Sequence, residues 1–277
     1  VFSANSCLSI MVMAKISYFG KTDSGLVRSN NEDTFLIKPG MGFCLVADGM
    51  GGAAAGELAS RIFAETALEV FLKAQGRSET EIQGKAQTTI DNSDDVTIIR
   101  SETEIPKRVQ TAFILANKKI LDHVNKTPQH EGMGCTAELI AFSDDNFVIG
   151  HLGDSRIYRI RNGQLKQLTK DHSLVQDQID QGLISPEEAR SHSLRNVITR
   201  AVGIEKSFEL DMLRGKTTSG DLFLLCSDGL TDMVDDNLIR KVLSSPIDLS
   251  QKTEKLVEMA NSAGGRDNIT VVLTEIL

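Results

Sequence analysis

An α+β fold of layered sheets and helices is predicted for this chain by three features. Short apolar runs that read as buried strands crowd the middle of the sequence. Two long segments carry apolar residues at spacings of three and four. The helical segments lie in pairs that flank the strands. The 277 residues suffice for one large domain with a well-buried core. Hydrophobic residues make up 40% and charged residues 25%, which excludes global disorder.

Residues 1–12 carry no charge and lack the basic flank of a signal peptide. They read as a lead-in or an appended remnant outside the fold, leaving 13–277 as a single domain. Phe43–Ala47 (FCLVA) is a buried strand. A helix follows over about Glu57–Lys73, with Leu58, Ile62, Phe63, Ala67, Val70 and Phe71 on one side. Residues 75–104 form a polar surface insertion, within which Val96–Ile99 could be a short strand. A second helix covers about Pro106–Asn125 through Val109, Phe113, Ala116, Ile120 and Val124. Strands follow at Ala137–Phe142, Phe147–Leu152 and Ile157–Arg161, the last closed by an Asn162-Gly163 hairpin turn. Residues 170–200 are polar and partly helical, with Pro186 at a helix start, and read as a lid or small subdomain. Leu222–Cys226 (LFLLC), a helix over about Asp248–Asn261 and Ile269–Leu273 (ITVVL) complete the chain.

Composition also excludes several function classes. A net charge of −8 argues against nucleic acid as a partner, and 5% aromatic residues without Trp argue against a base-stacking platform. No run approaches the roughly 18 apolar residues of a membrane span, so no membrane partner is expected. Cys7, Cys44, Cys135 and Cys226 form no C-x-x-C pair. Cys44 and Cys226 sit in apolar runs, which suits a reducing, cytoplasmic setting.

The chemistry lies in carboxylates at strand ends. FCLVA runs into Asp48-Gly49, LFLLCS into Asp228-Gly229 and FVIGHLG into Asp154, while Asp267-Asn268 precedes the last strand. Each Gly is expected to let the backbone turn sharply. A lone Asp-Gly is usually a plain turn, and Asp154-Ser155 has the look of a cap. Their joint placement beside continuous apolar strands points instead to a metal centre. Gathered carboxylates repel one another, and hard cations such as Mg²⁺ or Mn²⁺ relieve this through oxygen ligands. Upstream, Thr22-Asp23-Ser24-Gly25-Leu26-Val27-Arg28-Ser29-Asn30-Asn31-Glu32-Asp33 sets a guanidinium fork near two acids. That fork suits a phosphate, although an exposed polar loop is the plainer reading. The Gly- and Ala-rich bend at 49–56 could cradle an anion, but no Lys-Ser/Thr follows to make a nucleotide loop.

In order, these motifs resemble the bacterial type of the PP2C (PPM) family of metal-dependent serine/threonine phosphatases. The matching elements are T-D-x-G-x-V-R-x-x-N-E-D at 22–33, V-A-D-G-M-G-G at 46–52, A-G-E at 55–57 and G-M-G-C-T-A at 132–137. They continue with G-D-S-R at 153–156, S-D-G-L at 227–230 and G-G-R-D-N-I-T-V at 264–271. The resemblance implies a four-layer α-β-β-α sandwich, two antiparallel sheets flanked by helix pairs. It implies two bound Mn²⁺ or Mg²⁺ ions, with a third at a weaker site. Asp48 would bridge the pair, the Gly49 carbonyl would ligate the first and Asp228 and Asp267 the second. Asp154 matches the third site. Asp33 and Glu32 would sit at or behind the ligands, with Asn268 behind them, and Arg28 would bind phosphate. Residues 170–200 match a flap beside the site.

The implied reaction is attack of a metal-bridging water on phosphoserine or phosphothreonine, which needs no Cys nucleophile. The implied partners are phosphorylated proteins and a bacterial Ser/Thr kinase, with a monomer as the family default. Met50 stands where some eukaryotic members carry a His read as general acid, which points to a metal-bound water as proton donor here. Ala53 and Cys135 replace His and Thr of many relatives, and neither is an expected ligand. A dead, phosphoprotein-binding relative would have lost metal ligands, and the stress-switch branch usually lacks the Arg-containing motif. Both features are present here.

Overall fold

The computed structural model describes residues 16–75, 96–98 and 104–277. The lead-in at 1–12 and most of the polar stretch at 75–104 lie outside the described residues. The strands are β1 (Ile16–Asp23), β2 (Thr34–Lys38), β3 (Phe43–Ala47) and β4 (Gly49–Met50), followed by helix α1 (Ala53–Gln75). Strand β5 (Val96–Ile98) and helix α2 (Glu104–Lys126) come next. Then come β6 (Gly134–Cys135), β7 (Ala137–Ser143), β8 (Asn146–Leu152), β9 (Arg156–Arg161) and β10 (Gln164–Gln167). Two short helices, α3 (Leu174–Asp180) and α4 (Pro186–Arg190), precede β11 (Asp211–Lys216) and β12 (Leu222–Cys226). Helices α5 (Asp228–Thr231), α6 (Asp236–Leu243) and α7 (Leu249–Ser262) lead to β13 (Ile269–Ile276).

The strands build two antiparallel sheets, β1-β13-β12-β9-β10 and β2-β3-β7-β8-β11-β5, with a small β4-β6 ribbon at one end. Three apolar cores explain why the central strands are continuous apolar runs rather than alternating ones. In β3, Phe43, Leu45 and Ala47 face α1 and α2, while Cys44 and Val46 face the other sheet. In β12, Leu222, Leu224 and Cys226 face α6 and α7, while Phe223 and Leu225 point between the sheets. A strand covered on both faces must be apolar at every position. The order of layers is therefore α1/α2, sheet, sheet, α6/α7, the expected α-β-β-α sandwich.

Local chemistry sets the helix ends. Ser185 and Glu188 form a reciprocal capping box at α4, with Pro186 in the first turn as expected. Asp248 and Gln251 do the same at α7. The hairpin between β9 and β10 turns on Asn162 and Gly163, both at positive φ.

The two strand-end glycines differ from expectation. Neither Gly49 nor Gly229 has a positive φ. Gly49 continues into β4, and a Cβ there would collide with the Gly56 and Glu32 carbonyls. At Gly229, inside α5, it would collide with the Asn268 carbonyl. Both glycines serve close approach of backbone to backbone, not a sharp turn.

Candidate metal centre

The sandwich brings its carboxylates together where the two sheets end. Asp33 immediately precedes β2 of one sheet. Its Oδ2 accepts hydrogen bonds from Ser227 Oγ (2.8 Å) and Thr270 Oγ1 (2.6 Å), both on the other sheet's side. Asp48 leaves β3. Its backbone N–H donates to Thr136 Oγ1 (3.1 Å), and its carbonyl accepts from Thr136 N–H (2.9 Å). Thr136 is also hydrogen-bonded to Ser155 Oγ (2.8 Å), next to Asp154 in the bend between β8 and β9. Thr136 thus links the Asp48 backbone to the Ser155 hydroxyl beside Asp154.

Asn268 is the tie for the first motif. Its Oδ1 accepts from Glu32 N–H (2.8 Å), and its Nδ2 donates to the carbonyls of Ser24 (3.1 Å) and Asn30 (2.8 Å). Glu32 meets Gly49 through its backbone, the Gly49 N–H donating to its carbonyl at 3.2 Å. Arg28 reaches in from the rim, and its Nη2 donates to Asp267 Oδ2 at 2.7 Å with about half the Arg side chain exposed.

The electrostatics are those of a crowded anionic site. Burial pushes Asp48 well up, and the nearby charges of Asp33, Asp228, Asp154 and Asp267 add to it. Burial also pushes Asp228 well up, aided by Asp154, Asp232, Asp267 and Asp33. Asp154 rises to about 7 through burial and then the charge of Asp171. Asp33 rises only to about 6, because the Thr270 and Ser227 hydroxyls offset part of its burial. Glu32 is raised by burial, and Arg28 is raised by its bond to Asp267.

Among the described residues, Asp33 Oδ1, Asp154 Oδ1 and Asp228 Oδ1 are buried and accept no hydrogen bond. A buried carboxylate oxygen without a donor is costly, and a hard divalent cation is the group that satisfies several at once. The donor set, all oxygen, fits Mg²⁺ or Mn²⁺. Among the described residues, no group of three or more His, Cys, Asp or Glu side chains is close enough, as they stand, to hold a metal ion.

A pH dependence follows. Carboxylates with unfolded values near 4 titrate at about 6 and about 7 in Asp33 and Asp154. Between those limits the folded state binds more protons than the unfolded one, so stability falls as pH rises from about 4 to about 7. In EDTA, the melting temperature is expected to be lower at pH 8 than at pH 5.5. Asp154→Asn should flatten that slope; an unchanged slope would refute the charge-repulsion account.

The family model described as Protein phosphatase 2C matches residues 27–274. The chain belongs to the protein phosphatase 2C family. This 2C chain is 37% identical over 258 residues to the protein phosphatase PhpP of Streptococcus pneumoniae, covering 92% of itself and 95% of PhpP. It is 36% identical over 263 residues to the serine/threonine protein phosphatase PstP of Mycobacterium tuberculosis, covering 95% of itself but only 45% of PstP's length. A crystal structure of PstP superposes with a TM-score of 0.79 at 34% identity, covering 94% of this chain and 98% of that one. Another, of the PstP catalytic domain in complex with two manganese ions, gives 0.77 at 33% identity, covering 95% and 98%.

Of the residues singled out from sequence, the 2C fold gathers Glu32, Asp33, Asp48, Gly49, Asp154, Asp228, Asp267 and Asn268 at one end of the sandwich, with Arg28 at the rim. Sequence reasoning gave no role to Thr136, Ser227 or Thr270, the hydroxyls that hold Asp48 and Asp33. Each lies within a quoted motif, but a buried hydroxyl leaves no signature of its own in a sequence.

Proposed function

We propose that this chain hydrolyses phosphoserine and phosphothreonine on proteins, opposing a Ser/Thr kinase. The observation that carries this reading is the set of buried, unsatisfied carboxylate oxygens beside an exposed arginine. Bound Mn²⁺ or Mg²⁺ would supply positive charge and an activated water at such a site. Asp48, Asp228, Asp267 and the Gly49 carbonyl would hold two ions, and Asp154 a third. Asp33, fixed by Ser227 and Thr270, and Glu32, fixed through Asn268, would hold the arrangement from behind. Arg28 would orient the phosphate with its fork and offset charge as the P–O bond breaks.

The helices α3 and α4 read as a flap over this site. Their segment is pinned at its base by pairing of Ser173 with Ile198. At its far side, Arg195 Nε lies 3.5 Å from Asp232 Oδ2 at the end of α5. Between flap and sandwich lies a cavity of about 430 Å³ bordered by Asp154, Asp228, Asp232 and Arg195. It offers the space a phosphorylated side chain needs. The named activities of PhpP and PstP support the same reading.

The test is phosphate release from a phosphothreonine peptide with Mn²⁺ and with EDTA. Release should require the metal. Arg28→Ala should lower kcat/KM by about 10–100-fold and leave Mn²⁺ binding intact by calorimetry. Metal-independent release, or no release from a folded protein, would sink the proposal.

A further inference from the structure

We propose that the groove running from Met50 along residues 198–209 receives an apolar side chain that flanks the phosphoresidue of a protein substrate. This rests on the phosphatase reading and extends it to substrate choice.

The groove is a cavity of about 700 Å³ lined by Met50, Ile198, Ala201, Ile204 and Phe208 together with polar and charged residues of the same 198–209 segment. Met50 follows Gly49 directly, so the groove begins one residue from the carboxylate site. Its floor is stiff. In the β4–β6 ribbon Gly49 pairs with Cys135 and Met50 with Gly134. Cys135 and Val202 then exchange backbone hydrogen bonds of 3.0 and 2.9 Å. Gly134 has no room for a side chain, since a Cβ would lie 2.8 Å from the Val202 carbonyl and 2.9 Å from Ile204 Cδ1. The backbone that positions Gly49 is thus the backbone that positions Ile204.

Ile204 itself remains 44% exposed. Ser207, Phe208 and Glu209 also border a second cavity of about 920 Å³, which continues along α2 past the exposed Ile114. The combined volume exceeds that of a single side chain and suits a polypeptide segment. Continuity decides the occupant. A chain that presents phosphorus to a centre bounded by Asp48 and Gly49 has Met50 and the apolar wall as its next surface. A preformed apolar wall binds an apolar side chain without an ordering cost.

The experiment compares two phosphothreonine peptides, one with Leu and one with Ser on both sides of the phosphoresidue, and p-nitrophenyl phosphate, which has no flanks. Wild-type protein should favour the Leu peptide by about tenfold in kcat/KM, the size expected for removing much of one Leu side chain from water. Ile204→Ser should erase that preference, mainly through KM, with p-nitrophenyl phosphate turnover within about twofold of wild type. Phe208→Ser is the second variant, read in the same way should the first not fold. No preference in the wild type, or a preference that survives both substitutions, overturns the inference. So does a dimer that Ile204→Ser dissociates without touching the preference, which would make a second copy the occupant. Loss of wild-type turnover on p-nitrophenyl phosphate with Mn²⁺ marks failure of the phosphatase reading itself, and the groove assignment falls with it.

Discussion

Asp228→Asn is expected to reduce phosphate release by about 10³-fold and, in the same protein, to raise stability in EDTA. The two effects have one cause. Asp228 is half-buried at the start of α5, its Oδ1 is buried and accepts no hydrogen bond, and Asp154, Asp232, Asp267 and Asp33 all add to the upward push of burial on its titration. Without a cation that charge is a liability, so a neutral amide of the same shape relieves both desolvation and repulsion. With a cation the charge is the binding energy, and the amide forfeits it. Thermal melts in EDTA and in Mn²⁺ decide the matter. The variant should melt higher than wild type in EDTA and gain much less from Mn²⁺. Wild-type turnover by the variant at limiting Mn²⁺ would falsify the assignment of Asp228 as a ligand.

Gly229→Ala should destabilise the protein by about 1–3 kcal/mol and lower activity more than that loss alone implies. Two effects compete here. Gly229 lies in a helix and has no positive φ, so Ala should gain about 1 kcal/mol from helix propensity. Against this, the added methyl would strike the Asn268 carbonyl, a backbone atom that cannot rotate away. Asn268 is itself held by Glu32, Ser24 and Asn30. Relief therefore requires α5 to separate from β13, which moves Asp228 away from Asp267. The collision should outweigh the propensity. Gly40→Ala, where a Cβ meets nothing within 4 Å, is the control and should be near neutral. Stabilisation by Gly229→Ala would show that the close approach is not required.

The central strands were legible because burial on both faces leaves an apolar run with a distinct edge. Phe43–Ala47 and Leu222–Cys226 have the bounds read from sequence. The long helices were legible through their spacing, although both begin a few residues earlier than the apolar pattern shows, at Ala53 and Glu104. The first turn of α1 is Ala-Ala-Ala-Gly, which adds nothing to the periodicity, whereas α2 simply opens two residues before Pro106. Strands β1, β2 and β11 were not read. Each is half-buried along its length, and Asp211–Lys216 alternates too weakly to stand out. Such strands are held by their neighbours in the sheet rather than by their own composition. The short β5 was anticipated at Val96–Ile99, and it pairs with β11.

The candidate site divides in the same way. Which residues could carry the chemistry was written in the chain, because a carboxylate at the end of an apolar strand is conspicuous, four of them occur, and seven motifs stand in a recognisable order. How they are held was decided only in three dimensions. Asp33 meets Ser227 and Thr270 across 194 and 237 residues, and Arg28 meets Asp267 across 239. Local sequence determines the strand and the charge at its end, since both depend on near neighbours. The hydroxyls that hold each charge, and the glycines that let the backbones close on one another, are selected by contacts that exist only after the two sheets have packed.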